Sequence, residues 1–302
     1  MTIVQIPYVF FIVLFIKFMN SLIQGMKKMI KKRYAVIFFT GFLFLTCGTR
    51  PDGRTAAAWL DLHGGDIVIY TYTRAGIEAE IEENWRELGY RTKPDKYIAL
   101  SFDDGPCGPF DSGGTQALLA KLSELKLKVT FFSIGQNIRS YRTAARAVFD
   151  AGHELANHSD GYVSLGNADE EDIIASIDSA SQAIMEITGK YPYFFRAPNL
   201  SHGIDLSRVC GERGMPLIDG SVHNDWPGSA AAILQSVLAN PRDGDIIILH
   251  ENNTSQGNTL SVLPQIVAGL RERGFWILSV GRLAAVKEKQ LEAGERYSSI
   301  RN

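Results

Sequence analysis

Cysteine is scarce. The 302-residue chain has three, Cys47, Cys107 and Cys210, and their spacing fits neither a zinc ribbon nor a disulfide framework. Cys107 and Cys210 read as buried free thiols; a pairing between them stays open only for an exported chain. A large excess of either charge is missing too. The net charge is −2, so no basic face points to nucleic acid. Long apolar runs are also absent. The two at the amino terminus, 3–18 and 34–46, have 16 and 13 residues, short of the roughly 20 that a spanning helix needs. What is present is ordinary: a 45% hydrophobic and 21% charged chain, long enough for one large domain or two small ones.

The amino terminus reads as an export signal. Lys27, Lys28, Lys31, Lys32 and Arg33 form a positive region before the second apolar run, which ends at Cys47. Met26 and Met29 stand just before that cluster, and translation is expected to start at one of them. Cys47 after Phe44-Leu45-Thr46 loosely resembles a lipoprotein cleavage box. The expectation for 1–47 is therefore a signal or membrane-anchor region that delivers the protein to the cell envelope or outside the cell, with lipid anchoring at Cys47 as one form of it. Two short transmembrane helices are the competing reading. Residues 48–95 are a linker and a small extension, with a strand Asp66–Thr73 and a helix Ala75–Gly89 carrying Ile77, Ile81 and Trp85 on one stripe.

From 96 to 285 strands and helices alternate. Strands are expected at Tyr97–Phe102, Val129–Ile134, Glu154–Asn157, Tyr193–Arg196, Leu217–Ser221, Asp245–His250 and Trp276–Val280, with helices between them. Such alternation means α/β class and a parallel sheet. Seven units suit a distorted (β/α)7 barrel as well as an open sheet. Residues 286–302 are a polar tail.

Polar residues fall at the strand ends. Asp103 and Asp104 close the first strand, His158 follows the third, Arg196 ends the fourth, Asp225 and Trp226 follow the fifth, and His250 ends the sixth. Alone, each has a structural explanation: an Asp-Gly-Pro turn, or a satisfied core histidine. Together they sit where a (β/α) barrel gathers its chemistry. One Asp and one His are a minimal site for a hard or borderline cation. The second Asp is left as a general base, and the second His as a general acid. That set describes metal-assisted hydrolysis of an acyl bond.

These residues lie in five ordered motifs: Ser101-Phe102-Asp103-Asp104-Gly105-Pro106, Gly152 to Ser159, Phe195-Arg196-Ala197-Pro198, Asn224-Asp225-Trp226 and Ile248-Leu249-His250. Over roughly residues 95–285 they resemble the polysaccharide deacetylases with the NodB homology domain, carbohydrate esterase family 4. The resemblance implies a barrel fold, a polysaccharide partner and a divalent metal ion. It implies Asp103 as catalytic base, oriented by Arg196, and His250 as acid, held by Asp225. Asp104 and His158 would be metal ligands. Pro198, Asn199, Trp226 and Leu249 would contact substrate, with Trp226 and Leu249 walling an apolar pocket for the acetyl methyl and the Asn199 N–H stabilising the oxyanion.

One departure matters. In the frame His158-Ser159-Asp160-Gly161-Tyr162, Tyr162 stands where the family has a second histidine, and a neutral phenol is a poor ligand. The ion, zinc or cobalt, nickel or manganese, is then expected to be weakly held by Asp104 and His158 with extra waters. Substitution by Asp160 is a second outcome, and a catalytically weak glycan-binding envelope protein a third. The retained base, arginine, acid and its aspartate favour an active deacetylase. Acetylxylan, chitin oligomers and peptidoglycan are the candidate substrates, with a slight lean to acetylxylan; O- or N-linkage and oligomeric state stay open. His153 reads as structural, His202 and His223 as loop residues on the active face, Asn252, Asn253 and Thr254 as groove residues, and Tyr191, Tyr193, Phe194 and Phe195 as core.

Overall fold

The computed structural model describes residues 72–90, 93–108, 114–223, 225, 228–251 and 256–301. The export signal, Cys47 and most of the expected first strand lie outside the described residues.

The central strand, β1 (Lys96–Gly105), is apolar on both faces, as a strand covered on both sides must be. Ile98, Leu100 and Phe102 point into one core with the helices Gly114–Glu124 and Gln256–Glu272. Ala99 points into another, with Phe132, Ala156 and Ile246. That alternation sends Asp103 to the second face at the strand's carboxyl end. β1 pairs in parallel with β2 (Thr130–Ser133), β6 (Ile246–His250) and β7 (Phe275–Leu278). β3 (Glu154–Asn157) extends the sheet beyond β2, and β5 (Val222–His223) beyond β6. The order is β3-β2-β1-β6-β5, with β7 on β1. Parallel pairs need crossovers, and helices supply them. In the longest, Glu170–Thr188, Ile173, Ile177, Ile184 and Ile187 are buried as their spacing requires. Glu170, Glu171 and Asp172 fill its first turn, where the dipole favours acids, and Gly189 closes it with a left-handed φ of 78°.

The extension helix begins at Arg74, capped by the Thr73 side chain, and ends at Glu87. Its stripe Ile77, Ile81 and Trp85 packs with Trp276, Val280 and Leu283. The α/β class and parallel pairing match expectation; seven even strands do not. Tyr193–Arg196, flanked by Pro192 and Pro198, is reduced to a bridge at Phe195, which touches Asn157 and Leu217. The expected strand Leu217–Ser221 shortens to β4 (Leu217–Ile218), β5 starts only after it, and a side chain at Gly220 between them would strike Ile248. The polar tail is not free of the fold: β8 (Arg296–Tyr297) pairs with β4, and Leu291 and Ile300 are buried. Among the described residues no helix is long and apolar enough to cross a membrane.

Candidate active site

The site grows from the end of β1. Pairing with β2 shifts between Asp103 and Gly105, and Asp104 takes a left-handed φ of 73°. Such a bulge aims two consecutive carboxylates in different directions. Asp103 is buried, and its Oδ1 accepts from Arg196 Nη1 at 2.5 Å. Arg196 is fully buried and spends its other donors on Ser101 Oγ at 2.8 Å, the Ile218 carbonyl at 2.8 Å and the Asp219 carbonyl at 3.3 Å. Its guanidinium lies 3.9 Å from the Phe132 ring centroid. Burial pulls its pKa down, against the pull of Asp103 and Asp219; a guanidinium stays charged under that contest.

His158 follows β3, and a buried neighbour shapes its turn. Asn157 donates to the Ile177 carbonyl and Ser181 Oγ, both at 2.9 Å, and accepts from the Ser159 N–H at 2.7 Å. His158 Nδ1 lies 2.9 Å from the Arg196 carbonyl. A carbonyl only accepts, so Nδ1 carries a hydrogen and Nε2 is the nitrogen left to face a metal ion. Nε2 is 3.5 Å from Asp104 Oδ1 and 3.8 Å from Asp103 Oδ2. Two donors bound at about 2.0–2.2 Å to one ion stand roughly 3.0–3.5 Å apart. Asp104 and His158 therefore fit a single divalent cation. Among the described residues no third His, Cys, Asp or Glu completes a cluster around them.

Neither substitute ligand is on offer. The Tyr162 hydroxyl donates to the Asp104 backbone carbonyl at 3.3 Å and accepts from Asn137 Nδ2 at 3.1 Å. Asp160 is committed elsewhere: Arg139 grips both its oxygens at 2.6 and 2.8 Å, and Ser179 Oγ donates at 2.8 Å.

His250 ends β6 as the register partner of Asp103. Asp225, fully buried, takes the His250 backbone N–H at 2.6 Å and Nδ1–H at 2.7 Å, with Thr259 Oγ1 donating at 3.0 Å. Burial opposes the imidazolium, but the Asp225 hydrogen bond and the Asp103 and Asp104 charges overcome it and raise the pKa to about 9. The ring is thus a charged acid at neutral pH. Beside it, Glu251 is buried and pushed up to about 8 by that burial and by Asp104.

Pro198 is buried, and Asn199 has a left-handed φ of 56° with its side chain donating to Ser164 Oγ at 3.1 Å. Leu249 corrects an expectation. It packs with Phe102, Leu263 and Ile266 on the helix side of β6, opposite His250. Ile248 shares the face of His250, because alternate strand residues do. Trp226, Asn224, Asn252, Asn253 and Thr254 lie outside the described residues, as does the His223 side chain. His153 is buried and structural: it accepts from the Val129 N–H at 3.2 Å, and burial lowers its pKa to about 3. His202, expected on a solvated loop, is mostly buried beside Asp219. Tyr191, Phe194 and Phe195 are core, and Cys107 and Cys210 are buried and in no disulfide, with the Cys107 thiol 3.2 Å from the Glu251 carbonyl. Sequence reasoning missed Ser101, Asn137, Asn157, Asp219 and Thr259. Ser101 had a signal, its same-face position two residues before Asp103.

Residues 90–218 match the polysaccharide deacetylase family model. A chitooligosaccharide deacetylase from Sinorhizobium fredii is 31% identical over 61% of this chain and 89% of its own length. The chain belongs to the polysaccharide deacetylase family. A bifunctional xylanase/deacetylase from Pseudobutyrivibrio xylanivorans is 37% identical over 66% of this chain, which spans only 32% of that relative. Among solved structures, a family 4 acetyl xylan esterase from Clostridium thermocellum with a cobalt ion superposes with a TM-score of 0.62, at 30% identity, covering 68% of this chain and 99% of that one. Membership of the polysaccharide deacetylase family agrees with a site built at strand carboxyl ends.

Proposed function

We propose that this protein hydrolyses acetyl groups from a polysaccharide with the help of a divalent metal ion. The observation that carries the proposal is the register pairing of Asp103 with His250 on adjacent strands, each clamped from behind, by Arg196 and by Asp225. A general base and a general acid a strand apart are what acyl hydrolysis needs. Asp103 takes a proton from water as its oxygen bonds to the acetyl carbon. The Asn199 N–H steadies the negative charge on the acyl oxygen, a contribution of about 3–4 kcal/mol in comparable sites. His250 Nε2–H protonates the sugar oxygen or nitrogen as its bond to the acyl carbon breaks. Acetate leaves, and the two side chains exchange the proton back through solvent. Asp104 and His158 would hold the ion, which supplies Lewis acidity to the acyl oxygen and to water.

With two protein ligands, the ion is weakly held, and zinc, cobalt, nickel and manganese are all candidates. Substrates are acetylxylan, chitin oligomers or peptidoglycan, acted on outside the cytoplasm by a chain exported through residues 1–47, with lipid attachment at Cys47 as one form. Residues 96–285 are the catalytic domain and 48–95 a small extension. Bridges at Phe195 support a distorted barrel, since they continue the sheet from β3 toward β4. The thin ligand set favours a second reading, a catalytically weak glycan-binding protein. Acetate release from the three substrates, after chelation and with each metal added back, tests both. Release restored by added metal is expected. Full release by the chelated protein sinks the metal requirement; no release from any substrate with any metal leaves the glycan-binding reading.

A further inference from the structure

We propose that Asp219 is a positioning residue for this site and that Arg296, from the carboxyl-terminal strand, fixes it in place. The inference rests on the deacetylase reading.

Asp219 lies between β4 and β5, nearly buried. It is touched from separate parts of the chain. Its N–H donates to the Tyr297 carbonyl of β8 at 2.9 Å, and its own carbonyl accepts from Arg196 Nη2 at 3.3 Å. Its carboxylate takes Arg296 Nη2 on Oδ2 at 2.9 Å, and Oδ1 stands 2.9 Å from His202 Nε2, off the line of a hydrogen bond. One residue therefore contacts both the guanidinium that orients Asp103 and the segment that carries Asn199, three residues before His202.

That segment is gripped from its other side as well. A side chain at Gly166 would lie 2.8 Å from the His202 carbonyl and 2.9 Å from its nitrogen, so the two loops meet at backbone distance. The Gly166 N–H donates to Ser201 Oγ at 3.2 Å, and Asn199 Nδ2 to Ser164 Oγ at 3.1 Å. Residues 198–203 are held between the 164–166 loop and Asp219. His202 does not neutralise Asp219, because burial drives its pKa down and favours the uncharged ring. The cation on the Asp219 side chain is Arg296. Without it, a nearly buried carboxylate is left against Arg196, which already feels its charge. Asp219 then competes with Asp103 for one guanidinium, and its close contact with His202 is free to shift. The family match ends at residue 218, so both partners lie beyond it.

The test compares Arg296→Ala, Arg296→Lys, Asp219→Asn and the double variant Asp219→Asn/Arg296→Ala, with metal in excess and well below each melting temperature. On a substrate that wild type hydrolyses, Arg296→Ala is expected to lower kcat about tenfold or more, the scale of a small misplacement, with KM within about twofold. Arg296→Lys recovers most of it. The double variant is no slower than Asp219→Asn alone, since coupled residues do not add. Wild-type kcat in Arg296→Ala, additive losses, or a loss that merely follows the melting temperature overturns the proposal. A second readout needs no turnover: the backbone amide resonances of Asn199 and His202 shift in Arg296→Ala and return in Arg296→Lys. Unmoved resonances overturn the proposal even if wild type releases no acetate, an outcome that would sink the deacetylase reading separately.

Discussion

The Tyr162 hydroxyl donates to the Asp104 backbone carbonyl across 3.3 Å, and Asn137 donates to that same carbonyl at 2.7 Å. The phenol oxygen is thus spent on bracing the Asp104 turn from outside. Tyr162→His would trade this brace for a third donor. Zinc affinity, read by competition with a chelator, is expected to rise at least about tenfold, since a donor joins a two-ligand shell. Unchanged affinity would mean that position 162 does not face the ion.

His250 is held as imidazolium up to about pH 9, against its burial, by Asp225 and the Asp103 and Asp104 carboxylates. The acid is present below that value and lost above it, so kcat should fall on an alkaline limb near pH 9. Asp225→Asn removes the largest support and leaves burial to win. The limb then moves to lower pH. His250→Ala should cost about 10²–10⁴ in kcat while metal binding stays. Titration of kcat against pH checks both; a limb that Asp225→Asn does not move would assign it to another group.

Glu251 is buried, and that burial, with Asp104 adding to it and Thr115 opposing it, holds the carboxyl protonated to about pH 8. Its usual value is 4.5. Between these, the folded state binds a proton that the unfolded state has lost, so stability falls as pH rises from about 4.5 to 8 and is flat beyond. Glu251→Gln resembles the protonated form and should flatten that slope while keeping kcat. Melting curves from pH 5 to 9 show it; parallel curves for the two proteins contradict it.

Arg196 and Asp103 are a buried pair, and breaking one costs more than the pair contributes. Arg196→Met leaves Asp103 without its cation and is expected to lower unfolding free energy by about 3–5 kcal/mol. The double change with Asp103→Leu should recover part of this. Urea denaturation of the three proteins measures it, and a stable single variant would show that the pair is open to water.

Much of the site was legible because its members sit next to one another or at strand tips. Asp103 and Asp104 are adjacent, and Ile98, Leu100 and Phe102 announce the strand that carries them. Leu249 was misassigned although the same period of two, counted back from His250, selects Ile248. Asp219 and Arg296 had no local signature. Their partnership exists only after β8 folds onto β4, and a short strand with polar residues looks like a tail. Tyr193–Arg196 read as a strand from its aromatics; Phe195 and Arg196 do donate to Pro216 and Asn157, but Pro192 and Pro198 lack the N–H groups that would lengthen the ladder.

Arg196 also serves both halves of the centre at once. Its guanidinium holds Asp103, and its carbonyl fixes the ring of His158. The spacing between the proposed base and the proposed metal donor is thus built into a single amino acid. A larger ion that pushes the imidazole outward would tilt the Arg196 peptide and drag the base with it. If a metal binds as proposed, changing its preference without disturbing the base would therefore mean redesigning both neighbours of that peptide together.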